Sequence, residues 1–225
     1  MIYYFKIACL LLLITEISAC GHNHSNGVNV PSKECIELNN RGVAYLMKFP
    51  LDGEKNTNDA INLFKQAVIC DPTYAIGYAN LANAYDRKHS YSEEIMALNK
   101  ELALTDNAAP ILLEKGKVLE ITNNIDSAKK LYYLAKIGFE KRLVKHPDDA
   151  DIIKELILLK ALMVGKDEAL KEIDEQIKLH PDLKERLSSQ YVYYKTFNRH
   201  AFIYNLPTEI NEREFDGKTI KQESN

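Results

Sequence analysis

The chain has 225 residues, 46% hydrophobic and 27% charged, a balance that excludes wholesale disorder and fits one domain or a short repeat array. Its formal net charge is −3, and its 29 Lys and Arg are scattered rather than gathered into one stripe, so the footprint of a nucleic-acid binder is missing. No nucleic-acid partner is expected.

At the N-terminus, Lys6 precedes the apolar run from Ile7 to Ile14, which is too short to cross a bilayer and too uniformly apolar for an amphipathic surface helix. Residues 1–19 therefore read as an export signal. The sequence Ile17-Ser18-Ala19-Cys20 then resembles the bacterial lipobox, in which small residues precede the cysteine that is lipidated and begins the mature chain. The resemblance implies a lipid anchor on Cys20, with three acyl chains in a Gram-negative host and attachment that is stable rather than reversible. Gly21 follows in place of the aspartate that retains such proteins at the inner membrane. Outer-membrane residence, facing the periplasm or the cell surface, is what the resemblance implies. The alternative is an ordinary signal cleaved after Ala19, with Cys20 left as a free or paired thiol.

Residues 20–34 contain the stretch GHNHSNGVNVPS, whose Gly, Asn and Ser cannot bury enough apolar surface to offset the entropy of ordering, so a flexible tether is expected. His22 and His24 alternate within it. Two ligands on a flexible segment do not make a metal site, and none is expected.

Between Cys35 and Pro181 the dominant signal is internal repetition, in segments 35–74, 75–108, 109–149 and 150–183. The first carries Gly42 and Tyr45, then Ala60, Phe64, Ala67 and Pro72. The second has Tyr78, Leu81, Ala82 and Tyr85, then Leu98. The third has Gly116 and Leu119, then Ala128, Tyr132 and Ala135, and the fourth has Leu156 and Ile157, then Ala169, Ile173 and Pro181. Gly42 or Ala82 lets one helix approach its partner, and Phe64 fills between Ala60 and Ala67 on one face. Pro72, Pro147 and Pro181 stop helices. These residues resemble the tetratricopeptide repeat, a helix-turn-helix of 34 residues. The resemblance implies an all-α fold, a right-handed α-solenoid of about four repeats over 35–181 with a C-terminal capping helix.

Departures from that pattern are informative. The first segment is six residues too long, and Pro50, Gly53 and Asn56 place the excess in a lengthened loop from Phe49 to Asn58. The third is seven too long, and with no proline between Ser127 and His146 its second helix is expected to gain about two turns. The second has Glu101 where Ala is usual and Asp106 where Pro is usual. Beyond Pro181, Leu187, Tyr191 and Tyr194 recur at i, i+4 and i+7, predicting a helix from Leu183 to Thr196 within a capping segment 182–204. Residues 205–225 are polar and aperiodic, and a flexible tail is expected there.

No His-Glu-x-x-His pair, Gly-x-Ser-x-Gly elbow, phosphate loop or dinucleotide fingerprint occurs in the sequence, so neither an enzyme nor a cofactor is expected. The acid pairs Glu93 and Glu94, and Asp148 and Asp149, read as helix-start acids favoured by the helix dipole. Cys35 and Cys70 fall at helix ends that the repeat register brings together, either as a disulfide or as two buried thiols.

In tetratricopeptide proteins the first helix of each repeat lines a groove. Carried across by the resemblance, that register gives Asn39, Val43 and Met47, then Asn80, Asn83 and Arg87, then Glu114 and Lys117, then Lys154 and Leu158. A clamp for a terminal carboxylate is not expected, because Val43, Pro110 and Glu114 stand where it needs polar or cationic groups. The functional expectation is a membrane-anchored adaptor that holds an envelope protein or peptide. The second is a surface lipoprotein that captures a small ligand such as a glycan, stacked on Tyr191, Tyr193, Tyr194, Phe197, Phe202 and Tyr204.

Overall fold

The computed structural model describes residues 30–48 and 53–204. The export signal, Cys20, His22, His24, most of the tether and the tail 205–225 lie outside the described residues. The fold is an all-α solenoid of helix-turn-helix repeats, with no strand among the described residues. The helices pair as α1 (Lys33–Met47) with α2 (Gly53–Cys70), α3 (Ala75–Arg87) with α4 (Tyr91–Leu104), α5 (Ala108–Ile121) with α6 (Ile125–Lys145), and α7 (Ala150–Met163) with α8 (Lys166–Leu179). A 3-10 turn at Pro181–Leu183 leads to α9 (Lys184–Lys195) and the short α10 (Arg199–Ile203). Each helix from α1 to α9 packs on the next. Two contacts skip a neighbour, α1 on α3 and α7 on α9, and α10 returns to α5.

Local chemistry sets the breaks. The Ser32 side chain caps α1 by accepting from the Cys35 amide, and Asp149 caps α7 by accepting from the amides of Asp151 (3.0 Å) and Ile152 (3.2 Å). Pro72, Pro147 and Pro181 all fall at breaks between helices, where the missing N–H costs no ladder bond. Within the second and third repeats the turn uses a left-handed residue, His89 (φ 55°) and Asn123 (φ 61°) respectively. The fourth uses Gly165 at φ 135°, a backbone conformation that only glycine adopts without strain.

In two of the repeats a glycine lets the two helices approach closely. An added Cβ on Gly42 would stand 2.5 Å from the Phe64 ring, and one on Gly116 would stand 2.6 Å from the Tyr132 ring. Ala82 with Leu98 and Ile157 with Ile173 hold the corresponding places, and all four of these residues are buried. The spacing is sixteen residues in the last three repeats and twenty-two in the first. In the first and third repeats a glycine thus faces an aromatic ring across the helix pair, while Ala82 and Leu98, and Ile157 and Ile173, each share one core.

The surplus in the first repeat is not the ten-residue loop expected over 49–58. Gly53 to Asn58 form the opening turns of α2, where the Thr57 hydroxyl donates to the Gly53 carbonyl at 2.6 Å and Glu54 lies in the favourable first turn. Gly53 reads as a breaker in sequence, yet at the first position of a helix it costs little. The third repeat does gain length, since α6 has 21 residues against 14 in α4 and in α8.

Two apolar cores run along the solenoid. Phe64, Leu81, Leu98 and Ile111 belong to the first, and Tyr132, Phe139, Ile157, Ile173 and Tyr194 to the second. Helix α5 joins them, giving Ile111 and Val118 to one and Ala109 and Leu113 to the other. Cys35 and Cys70 are linked as a disulfide, with their Cα atoms 5.5 Å apart, so the start of α1 is tied to the end of α2.

Candidate functional site

The first helices of the repeats carry the groove residues that the register singled out, but they do not all face solvent. Asn39 is 3% exposed, and its Oδ1 accepts from Asn80 Nδ2 at 2.8 Å. These two amides hold α1 to α3. Asn39 is thereby corrected from a groove residue to a packing residue, because the contact between α1 and α3 encloses it. Val43 is half-buried against the first core, and Leu158 against the second. Arg87 turns back so that Nη1 donates to the Leu46 carbonyl near the end of α1, at 3.0 Å. Lys154 pairs with Asp151 at 3.1 Å on its own helix. Met47 and Asn83 are exposed.

Lys117 is more constrained than a solvated lysine. Its Nζ lies 2.9 Å from Glu114 Oε2 and 5.2 Å from the centre of the Phe202 ring. Phe202 comes from α10, so the C-terminal helix lies against α5 on the Lys117 side. It is pinned by Arg199, whose two terminal nitrogens pair with the Glu120 carboxylate (Nη2 to Oε2 2.8 Å) while Nε donates to the Leu162 carbonyl at 2.8 Å. Tyr132 also donates to Glu120 Oε2, at 3.0 Å, and burial, then the Glu120 charge, pushes its phenol well above the usual range.

The aromatic C-terminal stretch is divided between core and surface, with Tyr193 and Tyr204 exposed and Tyr191 and Phe202 half-buried. Tyr194 and Phe197 are buried with ring centres 5.4 Å apart, and Phe197 lies 5.6 Å from Phe202. Tyr191 donates to Asp174 instead of facing out. A sugar has no access to Tyr194 or Phe197, which are covered, while Tyr193 and Tyr204 remain exposed.

A cleft of about 210 Å³ opens between α3, α4 and α5. Asn83 and Asp86 line it from α3, Glu94 and Glu101 from α4, and Glu114 from α5, so one exposed amide and four carboxyl groups share one small space. Glu94 is 3% exposed, and its Oε2 has no hydrogen-bond partner. Burial, then the charges of Asp86 and Glu114, push the Glu94 carboxyl up to about 8, against the opposing pull of Lys117. Burial also raises Asp86 and Glu101. Among the described residues, no group of three or more His, Cys, Asp or Glu is arranged to hold a metal ion. None of the described helices is long and apolar enough to cross a membrane.

Glu94 is the residue that sequence reasoning missed, since a helix-start acid reads as a partner of the helix dipole. The usable signal was periodicity: Glu94, Leu98 and Glu101 fall at i, i+4 and i+7, so an apolar face is interrupted by two acids.

No protein-family model and no curated relative matches the sequence. Among solved structures the chain is similar to the first TPR of Spaghetti (RPAP3) bound to an HSP90 peptide, at 20% identity over 60% of this chain and 96% of that one, with a TM-score of 0.44. It is also similar to PilF of Pseudomonas aeruginosa, at 16% identity over 84% of this chain and 78% of that one, with a TM-score of 0.46. MamA of Desulfovibrio magneticus RS-1 gives 16% identity over 87% of this chain and all of that one, again with a TM-score of 0.46. The fold assignment rests on the helix pairs themselves.

Proposed function

We propose that this chain is an adaptor of the cell envelope, anchored to the membrane through a lipid on Cys20, that holds a protein or peptide partner on the first helices of its repeats. The observation that carries the proposal is the cleft between α3, α4 and α5, which is open to a ligand and lined by polar side chains fixed on rigid helices. Sites on helices hold their geometry better than sites on loops. The side chains beside it, Asn83 and Glu114, are exposed, and an amide offers both a donor and an acceptor to an extended backbone. Anchoring and outer-membrane residence rest on the lipobox-like sequence at Ile17 to Cys20. The glycan reading is less favoured, because Tyr194 and Phe197 at the centre of its row are buried and do not offer a continuous stacking face.

Crosslinking and affinity purification of the full-length protein from its own envelope tests this, beside Cys20→Ala and a cleft variant, Asn83→Arg with Glu114→Arg. One protein enriched by the wild type and lost from the cleft variant supports the adaptor, and release of Cys20→Ala from the membrane fraction supports the anchor. Absence of any protein that depends on the cleft overturns the adaptor reading.

A further inference from the structure

We infer that the cleft between α3, α4 and α5 is a cation pocket, which takes the guanidinium or ammonium head of a basic side chain presented by the partner. The inference rests on the adaptor reading for the source of that side chain and on the cleft's own chemistry for its charge. Asp86, Glu94, Glu101 and Glu114 all line the space, and among the described residues no cationic side chain lines it with them. Lys117 acts on Asp86 and Glu94 from nearby, but its Nζ is engaged by Glu114 and lies over the Phe202 ring.

Glu94 gives the second, independent reason. A buried carboxyl oxygen without a partner is costly, and such groups call for an account when they persist. Ala97 and Leu98 on the same helix are both buried, so the face of α4 that carries Glu94 is turned into the structure. The cleft far exceeds the ~10–15 Å³ that one ordered water requires, so it admits the end of a side chain. Its walls suit a long cationic residue: Leu98, Pro110 and Ile111 would cover an aliphatic stem while the acids meet the head. A charged donor entering there supplies Glu94 Oε2 with the bond it lacks, and charge-assisted bonds are among the strong ones. An anionic headgroup or a carboxylate would be repelled by the same set.

The test is a titration of the ¹⁵N-labelled protein with N-acetyl-arginine amide and, separately, N-acetyl-citrulline amide, which has nearly the same shape without the charge. The arginine probe is expected to give saturable shifts confined to amides around Asn83, Glu94, Glu101, Ile111 and Glu114, with a Kd on the order of millimolar. Citrulline and Glu114→Gln are each expected to weaken binding about tenfold or more, and Glu94→Gln to do so above a pH of about 8, where the wild-type carboxyl is ionised. Glu114 is exposed, so its variant remains informative if Glu94→Gln disturbs packing. Equal binding of citrulline, shifts scattered over the surface, or unchanged affinity in both variants would overturn the pocket. Capture of a partner equally by wild type and Glu114→Gln would overturn the pocket while the adaptor stands. Saturable arginine binding with no partner captured would sink the adaptor and leave the pocket standing.

Discussion

Arg199 of α10 and Glu120 of α5 stand 79 residues apart in the chain and form a two-pronged ion pair, with Glu120 buried and Arg199 also bonded to the Leu162 carbonyl near the end of α7. With Tyr132 of α6 on the same carboxylate, one acid organises four helices. Removing Arg199 leaves Glu120 buried beside a neutral phenol only, and an uncompensated buried charge costs about 3–5 kcal/mol. The Arg199 side chain is 42% exposed, so water can reach the vacated place and the lower end applies. Arg199→Met is expected to cost roughly 3 kcal/mol and lower Tm by about 6–12 °C at this chain length. Glu120→Gln combined with Arg199→Met should recover part of that loss, with a coupling of about 1–3 kcal/mol. Thermal melts of the four proteins of the cycle measure it, and strict additivity would mean that the pair contributes nothing of its own.

The facing pairs Gly42 with Phe64 and Gly116 with Tyr132 predict a packing cost. A methyl group at either glycine would stand 2.5 or 2.6 Å from a ring atom, well inside van der Waals contact, so ring and helix must separate. Gly42→Ala and Gly116→Ala should each destabilise by about 1–3 kcal/mol, although alanine is the better helix former. Phe64→Leu in the Gly42→Ala background makes room and should give a double variant more stable than the sum of the single effects predicts. Urea denaturation decides, and a stabilised Gly42→Ala would mean that the glycine is not what lets these helices approach.

The disulfide between Cys35 and Cys70 closes a loop of 35 residues by sequence separation. Chain-entropy reasoning assigns a loop of that length roughly 3–4 kcal/mol. Thiol titration of the non-reduced, denatured protein should find neither cysteine free, and Cys35→Ser with Cys70→Ser should lose about that stability in a chemical melt. Two reactive thiols in protein isolated under oxidising conditions would contradict the bridge.

Much of this architecture was legible because periodicity reports burial. Ala60, Phe64 and Ala67, or Ala128, Tyr132 and Ala135, recur with the helical repeat and are all buried. What escaped was what depends on distant segments. Asn39 reads as a surface amide until Asn80, 41 residues away, is laid against it. Helix α10 is five residues long, too short for a periodic signal, and its role comes from meeting α5. Glu94 does sit in the first turn of α4, as its sequence position implies, but its burial depends on α3 and α5 and was not legible there.

Glu94 also predicts a pH dependence. Its carboxyl is pushed from 4.5 up to about 8 by burial first, then by Asp86 of α3 and Glu114 of α5, with Lys117 of α5 opposing. Burial raises Asp86 and Glu101 as well, while Lys117 of α5, His89 in the turn after α3 and Arg87 of α3 pull Asp86 the other way. Between pH 4.5 and about 8 the folded chain holds a proton on Glu94 that the unfolded chain has released. Stability contributed by the neutral acid is therefore fully present below 4.5 and is lost as pH rises toward 8. At ~1.4 kcal/mol per unit, the upper bound on that loss is roughly 4–5 kcal/mol. Glu94→Gln keeps the shape and removes the titration. Its unfolding free energy should match the wild type near pH 4.5, exceed it near pH 8, and vary less with pH between them. Denaturant melts across this range test the assignment, and parallel curves for the two proteins would mean that Glu94 ionises in the folded state as readily as in water.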